Sequence, residues 1–147
     1  MNVDDLLKKG LLKKIPKDQS KSQRSLEIAI KSLEDAQHIL STDMYDVVLI
    51  KAYMAIFHAA RAVLYSDGIQ EKSHYATMIY LKEIHPTVYS PDLIVIFDIH
   101  KNERHDALYG LDFTPEKADA ETAIRDAEYF VKTTKELLSA KQGLTLQ

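Results

Sequence analysis

The sequence predicts an all-α protein, an up-and-down bundle of four long helices with short additional helices. Three observations support this fold class. Residues 45–65 are apolar almost all the way round, the flanking segments place apolar residues three and four positions apart, and only four glycines and four prolines occur in 147 residues. A helix that is apolar on every side must be covered by neighbours, and short connections make neighbouring helices antiparallel. No segment is a convincing strand.

The run at residues 45–65 is the element around which the others are expected to pack. Its alanines favour a helix and let other helices approach closely. Asp43 is placed to cap its start, and Gly68 suits the left-handed conformation that often ends a helix. A membrane span is the rival interpretation. Because Lys51 and Arg61 interrupt the run, its longest charge-free part is shorter than the ~20 residues that a bilayer requires, and we favour a buried helix.

Two helices are predicted before this run. Residues 3–12 form a short amphipathic piece whose lysines are more typical of a solvated face than of a phosphate site. Residues 20–40 repeat apolar side chains at helical spacing on one face, which predicts a long amphipathic helix.

Three helices are predicted after it. Ser73 is expected to cap a helix over residues 74–84. Residues 90–110 open with a serine cap, a proline and an acid, and although residues 93–97 look strand-like in composition, the helical period continues beyond them. The last helix begins at residues 114–116 and is expected to end near Lys141.

The length predicts one domain, with its core at about residues 20–141, a loosely attached N-terminal helix in residues 1–19 and a frayed tail at residues 142–147. The net charge of −3 provides no global basic field, which argues against binding of duplex DNA. The chain has no cysteine, so disulfides and thiolate sites are excluded. The acidic start lacks the apolar core of a signal peptide. We therefore expect a cytoplasmic protein with no membrane attachment and no cofactor.

Polar side chains gather near the end of the helix predicted over residues 90–110. They are His100, Arg104, His105, Asp106 and Tyr109. The spacing of four places His100 and Arg104 on one face, with Asp106 well off it. An arginine can clamp a phosphate through two hydrogen bonds, while histidine or tyrosine can donate a proton or a further hydrogen bond. The alternative is an ordinary charged helix end, which the spacing alone favours.

Three more polar residues are candidates for ligand binding together with His100 and Asp106. His58 lies inside the apolar run, where a lone histidine is more often a satisfied core residue. Arg61 is expected to pair with an acid from a neighbouring helix. His74, in the first turn of its helix, belongs either to the surface or to a cleft. No metal site is predicted, because no histidine–glutamate helix motif is present.

Three segments, in order, resemble the HEPN domain family, whose name stands for "higher eukaryotes and prokaryotes nucleotide-binding". Residues 53–62 are similar to the central helix of the family. Residues 68–74, with Gly68-Ile69 and Lys72-Ser73-His74, are similar to the part that follows it. Residues 104–110 resemble the late Arg-x-x-Ala-x-Tyr signature. The likeness extends over roughly residues 22–138 and is to the stand-alone branch of the family.

The resemblance implies a bundle of four to five helices that forms a homodimer. Many members are metal-independent ribonucleases, often toxins paired with a small nucleotidyltransferase antitoxin. Their active site joins an arginine and a histidine four to six residues later, contributed by both protomers across a shared cleft. There the ribose 2′-hydroxyl attacks the adjacent phosphate, arginine stabilises the developing charge and histidine moves a proton.

This chain departs from that pattern, because Tyr109 stands five residues after Arg104 and no histidine follows within range. Tyrosine, with a pKa of ~10, is a poor base at neutral pH. We therefore predict a homodimeric module that binds nucleotide or RNA phosphate near Arg104, in a toxin–antitoxin-like pair with a small nucleotidyltransferase. One alternative is a metal-independent ribonuclease that uses Arg104 with His105 or Tyr109. A second is a non-catalytic helical scaffold for protein interaction.

Overall fold

Six α-helices and a two-stranded ribbon make up the part of the chain that the structure, a computed structural model, describes, namely the backbone of residues 1–146 and the side chains of residues 1–141. The helices are α1 (Val3–Lys8), α2 (Gln19–Ile39), α3 (Tyr45–Asp67), α4 (His74–Ile84), α5 (Pro91–Tyr109) and α6 (Lys117–Leu146), and the strands are β1 (Leu12–Lys14) and β2 (Ile69–Glu71). Four long helices and two short ones confirm the predicted all-α bundle.

Helix α3 is the centre of the bundle and contacts α2, α4, α5 and α6. Its small side chains let these neighbours approach closely. Five of them are fully buried: Ala52, Ala55, Ala59, Ala60 and Ala62. By length and composition α3 could also cross a membrane, but 61% of its most apolar stretch is buried inside the bundle. A mostly buried helix of this kind is typical of the core of a folded domain.

The end of α3 follows the prediction, whereas its start does not. Gly68 has φ 83°, and a Cβ at this position would lie 2.7 Å from the carbonyl oxygen of Ile15, so both the conformation and the space require glycine. Asp43 does not cap the helix. It adopts a left-handed conformation with φ 62°, and its carboxylate accepts a hydrogen bond from the hydroxyl of Tyr45 at 3.0 Å. A 3₁₀ turn at Leu40–Thr42 leads the chain from α2 into α3, which moves Asp43 away from the capping position.

The predicted serine caps of α4 and α5 are confirmed. The hydroxyl oxygen of Ser73 accepts a hydrogen bond from the amide of Ala76 at 2.9 Å, and that of Ser90 accepts one from the amide of Leu93 at 3.4 Å. The strand-like residues 93–97 are helical, as expected. Helix α5 begins at the predicted proline and ends at Tyr109, one residue before Gly110.

The N-terminal segment packs more closely than the sequence predicts. Leu6 is fully buried in the main core and Leu12 is 1% exposed. Strand β1 pairs antiparallel with β2, with Leu12 opposite Glu71, so the expectation of no strand is wrong at this point. The amide of Val3 also donates to Glu83 at 2.9 Å. After Gly68 the extended backbone of β2 has amide and carbonyl groups that need hydrogen-bond partners, and β1, which follows α1, supplies them.

Helix α6 starts at Lys117, shortly after the predicted start, and continues to Leu146, past the predicted end near Lys141. The expected frayed tail at residues 142–147 falls on positions whose side chains, and for Gln147 also the backbone, lie outside the described residues.

A hydrogen-bonded carboxylate joins the ends of three helices. Asp67, at the end of α3, accepts hydrogen bonds from the hydroxyl of Tyr80 at 2.9 Å, from Nε2 of His85 at 2.6 Å and from Nζ of Lys141 at 2.5 Å. Burial raises the pKa of Asp67, but the hydrogen bonds outweigh it and lower that pKa to about 2. Tyr80 is buried in this arrangement, whereas Ile84, at the end of the same helix, is 47% exposed.

Candidate functional site

The imidazole of His74 is held from two sides at the beginning of α4. Its Nδ1 lies 2.6 Å from the hydroxyl of Tyr53, which is buried in α3. Its ring stacks on that of Phe57, with the ring centroids 4.1 Å apart and the planes inclined by 16°. Because Ser73 caps α4, His74 is fixed as the first residue of the helix. The ring is thus held through Nδ1 and through one of its faces. Tyr53 contacts Nδ1 and leaves the second nitrogen, Nε2, to other groups.

Burial lowers the pKa of His74, and four nearby groups lower it further. In decreasing order they are Arg104, Lys101, Arg61 and His58. Cζ of Arg61 lies 5.8 Å from the centre of the Phe57 ring on which His74 stacks, and the positive charges of Arg104 and Lys101 on α5 act on the same imidazole. Burial also raises the pKa of Tyr53. A neutral phenol therefore faces a neutral imidazole at pH 7. We call His58, Arg61, His74, Lys101 and Arg104 the His74 cluster.

Helix α5 supplies Lys101 and Arg104, one turn apart and therefore on the same face. Both side chains are half-buried. Nζ of Lys101 lies 3.4 Å from a carboxylate oxygen of Asp98 on the same helix. Within the described residues Arg104 has neither an ion pair nor a hydrogen bond through its side chain, so its guanidinium is available to a ligand.

Helix α3 supplies Arg61 and His58. Nε of Arg61 lies 2.7 Å from Oε1 of Glu71, an ion pair that lacks the angle of a hydrogen bond. The acid thus comes from β2 instead of the neighbouring helix that the sequence suggested. His58 is not the satisfied core histidine that the sequence favours, because its Nδ1 is buried without a hydrogen-bond partner among the described residues. Burial and then the charge of Arg61 lower the pKa of His58.

His100 does not join this cluster. It is 2% exposed, with Nε2 2.7 Å from Asp126 of α6 and Nδ1 3.3 Å from Glu103. Burial lowers the pKa of His100, but hydrogen bonds to the two carboxylates outweigh this effect and raise it. Since both ring nitrogens are engaged, the geometry does not suit the predicted ligand-binding role, and His100 instead ties α5 to α6.

The other predicted residues of α5 lie at its exposed end. The rings of His105 and Tyr109 are 4.9 Å apart, and Tyr109 is 68% exposed. The side chain of Asp106 is exposed, and its carbonyl accepts a hydrogen bond from the amide of Gly110 at 2.7 Å. In the described part of the chain no side-chain contact joins these three residues to His74. The structure therefore brings together Arg104, Arg61, His58 and His74, but not His105, Asp106 and Tyr109.

Sequence reasoning missed three residues of this site. Tyr53 and Phe57 precede Arg61 by eight and four positions, a spacing that places all three on one side of α3. Lys101 precedes Arg104 by one turn. These spacings are visible in the sequence, but the packing of His74 on Phe57 depends on how α4 docks against α3, and no local pattern encodes that contact.

The arrangement is suited to binding an anion. Arginine and lysine donate charge-assisted hydrogen bonds to phosphate oxygens, and the start of α4 adds the positive end of its dipole. Among the described residues, no group of three or more histidine, aspartate or glutamate side chains is placed to hold a metal ion.

Comparison with known proteins gives a family and several relatives. Residues 22–137 match the model of the HEPN domain. Two proteins of Methanocaldococcus jannaschii, each named "Putative toxin", are 26% identical over 124 residues and 29% identical over 126 residues. These alignments cover 83% and 79% of this chain, and 84% and 87% of the relatives. A "UPF0332 protein" of Archaeoglobus fulgidus is 30% identical over 112 residues, covering 73% of this chain and 86% of that protein.

Proposed function

The protein belongs to the HEPN domain family, and from this premise we propose that it binds the phosphate groups of a nucleotide or RNA at the His74 cluster. The observation that carries the proposal is the geometry at the start of α4, where the ring of His74 stacks on Phe57 and Cζ of Arg61 lies 5.8 Å from the centre of that same Phe57 ring. The charges of Arg104 and Lys101 also act on this imidazole. Lys101 and Arg61 have carboxylate partners, whereas Arg104 has no ion pair within the described residues, so a bound phosphate would be its counter-ion.

We further propose a toxin-like role for this module, in a pair with a small nucleotidyltransferase. The support comes from the family and from the names of the two Methanocaldococcus relatives. A partner of this kind handles nucleotides, which agrees with a phosphate site on the module itself.

The same proposal includes a homodimer formed through α5. This helix is apolar on several sides but fully buries only Leu93, Phe97 and His100. Val95 and Ile99, one turn apart, remain 53% and 46% exposed. A second copy that packs on this face would remove both side chains from water.

Replacement of Arg104 tests the binding function. We expect Arg104→Ala to weaken binding of a fluorescently labelled single-stranded RNA about tenfold to a hundredfold, because a hydrogen bond to a charged group contributes ~1.5–3 kcal/mol. Arg125→Ala, which removes an exposed arginine of α6, is the matched control and should bind like the wild type. Equal affinities for all three proteins would remove Arg104 from the site.

A metal-independent ribonuclease is the second candidate, favoured by the neutral state of His74 beside the charge of Arg104. In this reaction Nε2 of His74 takes the proton of the ribose 2′-hydroxyl, the O2′–P bond forms and the P–O5′ bond breaks. The imidazolium then returns the proton to O5′, which gives a 2′,3′-cyclic phosphate and a 5′-hydroxyl. Arg104 stabilises the charge on the phosphoryl oxygens. This assignment replaces the proton-transfer roles first expected of His105 and Tyr109.

Incubation of the purified protein with RNA in EDTA tests this candidate. We expect His74→Ala to lower the cleavage rate about 10²–10⁴-fold, the usual contribution of a general base, and His105→Ala to retain the wild-type rate. If the wild type releases no more cyclic phosphate than Arg104→Ala does, the ribonuclease candidate is rejected and the binding function stands alone.

A further inference from the structure

A second cationic site adjoins the His74 cluster between α2 and α3. It is a groove of about 290 Å³. Its polar and aromatic lining consists of Lys21, Arg24, Ser25, His58, Arg61 and Tyr65. Arg61 and His58 belong to both sites, so the groove is continuous with the site proposed above.

The groove has three permanent cations and no carboxylate in its lining. Nζ of Lys21 and Cζ of Arg61 lie 5.7 Å and 5.5 Å from the centre of the Tyr65 ring. The ring holds both cations near the groove by cation–π attraction without neutralising them. Glu71 pairs with Arg61 but is buried and does not line the groove. Arg24 is exposed and has no ion pair among the described side chains.

A buried polar atom at the same place also calls for a ligand. Nδ1 of His58 has no hydrogen-bond partner among the described residues although it is shielded from solvent. Buried polar atoms in native proteins are nearly always paired, by protein groups, water or a bound molecule. Because Nδ1 is shielded from solvent, an anion or a water in the groove would pair with it after the imidazole turns towards the groove.

The size of the groove limits what it can accept. Pockets that enclose drug-sized ligands usually measure ~300–1,000 Å³, and this groove lies just below that range. A phosphodiester segment fits a groove of this size. Since Arg61 is shared, neighbouring phosphates of one strand can contact the groove and the His74 cluster together.

We propose that the groove between α2 and α3 is a second phosphate subsite, and that the ligand of this protein is therefore a single-stranded oligonucleotide and not a mononucleotide. This proposal rests on the proposed function and specifies its substrate class. Lys21, Arg24 and Arg61 bind the phosphate that neighbours the one at Arg104. They act without reading the base, because contacts to the phosphate backbone carry no sequence information.

The test compares a labelled 12-nucleotide single-stranded RNA with AMP. The variants are Lys21→Ala/Arg24→Ala and, as a control with the same change in charge, Lys132→Ala/Lys135→Ala on the exposed face of α6. We expect the groove variant to bind the RNA about tenfold more weakly and AMP as well as the wild type does. The slope of log K against log salt concentration should fall by roughly 0.7 for each lost contact to a single strand. The α6 variant should behave as the wild type in both assays.

The outcomes separate this inference from the function on which it rests. An unchanged RNA affinity and salt slope in the groove variant, with weakened binding in Arg104→Ala, would reject the subsite and leave the proposed function intact. Loss of RNA affinity in the α6 control as well would also reject it, because binding would then follow overall charge. Failure of the wild type to bind either probe would reject both proposals.

Discussion

At the scale of single residues, Asp67 shows how strongly the hydrogen bonds of neighbouring side chains can change the pKa of a carboxylate. It receives hydrogen bonds from α4, from the residue that follows α4 and from α6, and its pKa falls to about 2. An unfolded aspartate has a pKa of ~3.9. The depressed value stabilises the folded state above pH ~4, and this stabilisation is lost as the pH falls through ~2.

We predict that Asp67→Asn lowers the free energy of unfolding by about 2 kcal/mol at pH 7, as expected for a shift of this size. The deficit should shrink as the pH falls from 4 to 2, because the wild-type carboxylate then becomes protonated. Urea unfolding at several pH values measures this effect. Asp112→Asn, at an exposed loop position, is the control. If Asp67→Asn lowered the free energy of unfolding by the same amount at pH 2 as at pH 4, the changed geometry of the side chain, and not the lost negative charge, would explain the effect.

The residues of the candidate site could be predicted only in part. Arg104 and His74 were identifiable from the residues around them, because motifs are local in sequence. The contact of His100 could not be predicted, since the sequence does not reveal that Asp126, on another helix, occupies one of its nitrogens. Lys101 and Phe57 were missed because their importance arises only when α4 places His74 between α3 and α5. Local chemistry is thus readable in the sequence, whereas the partners that helix packing supplies are not.

At the scale of elements, the helices follow from local signals and the ribbon does not. Ser73 and Ser90 begin α4 and α5 through hydrogen bonds of their side chains, and Gly68 ends α3 through its left-handed backbone conformation. Each of these boundaries depends on a single residue and can therefore be predicted from the sequence. The strands β1 and β2 have three residues each, too few to show an alternating pattern, and they exist because they pair with each other across the chain. The same pairing anchors α1, which the sequence alone predicts to be loose.

We predict that Leu6→Ala destabilises the protein by about 2–5 kcal/mol, the usual loss when a fully buried leucine is truncated. Leu111→Ala removes the same atoms from a side chain that is 99% exposed, and its free energy of unfolding should stay close to that of the wild type. Chemical denaturation of both variants makes the comparison. Equal stabilities would mean that α1 contributes nothing to the core.

At the scale of the whole molecule, charge and apolar surface are both distributed unevenly. The net charge is only −3, yet Arg61, Lys101 and Arg104 act together at one place and continue into the groove between α2 and α3. On α5, Val95 and Ile99 form an exposed apolar strip. The net charge of the sequence does not reveal the local group of cations, and the helical spacing of apolar residues does not reveal the exposed strip on α5. Both features depend on which faces of the helices are covered in the bundle.

We predict that the wild type is a dimer in light scattering at micromolar concentration and that Val95→Lys/Ile99→Lys is a folded monomer. Charged side chains on this strip would have to be buried unpaired in the dimer, which is strongly unfavourable. Ile28→Lys, which changes an isoleucine of α2 with the same 46% exposure as Ile99, should remain dimeric. A monomeric wild type would contradict the proposed assembly.

The most direct test of the phosphate site is an NMR titration of the histidine side chains with and without a short single-stranded RNA. In the free protein His74 should titrate below the usual histidine range, because burial and the charge of Arg104 oppose its protonation. Bound RNA should raise the pKa of His74 by placing negative charge beside it, and Arg104→Ala should raise it by removing a cation. If saturating RNA leaves the titration of His74 unchanged, the cluster does not bind phosphate and the account is wrong.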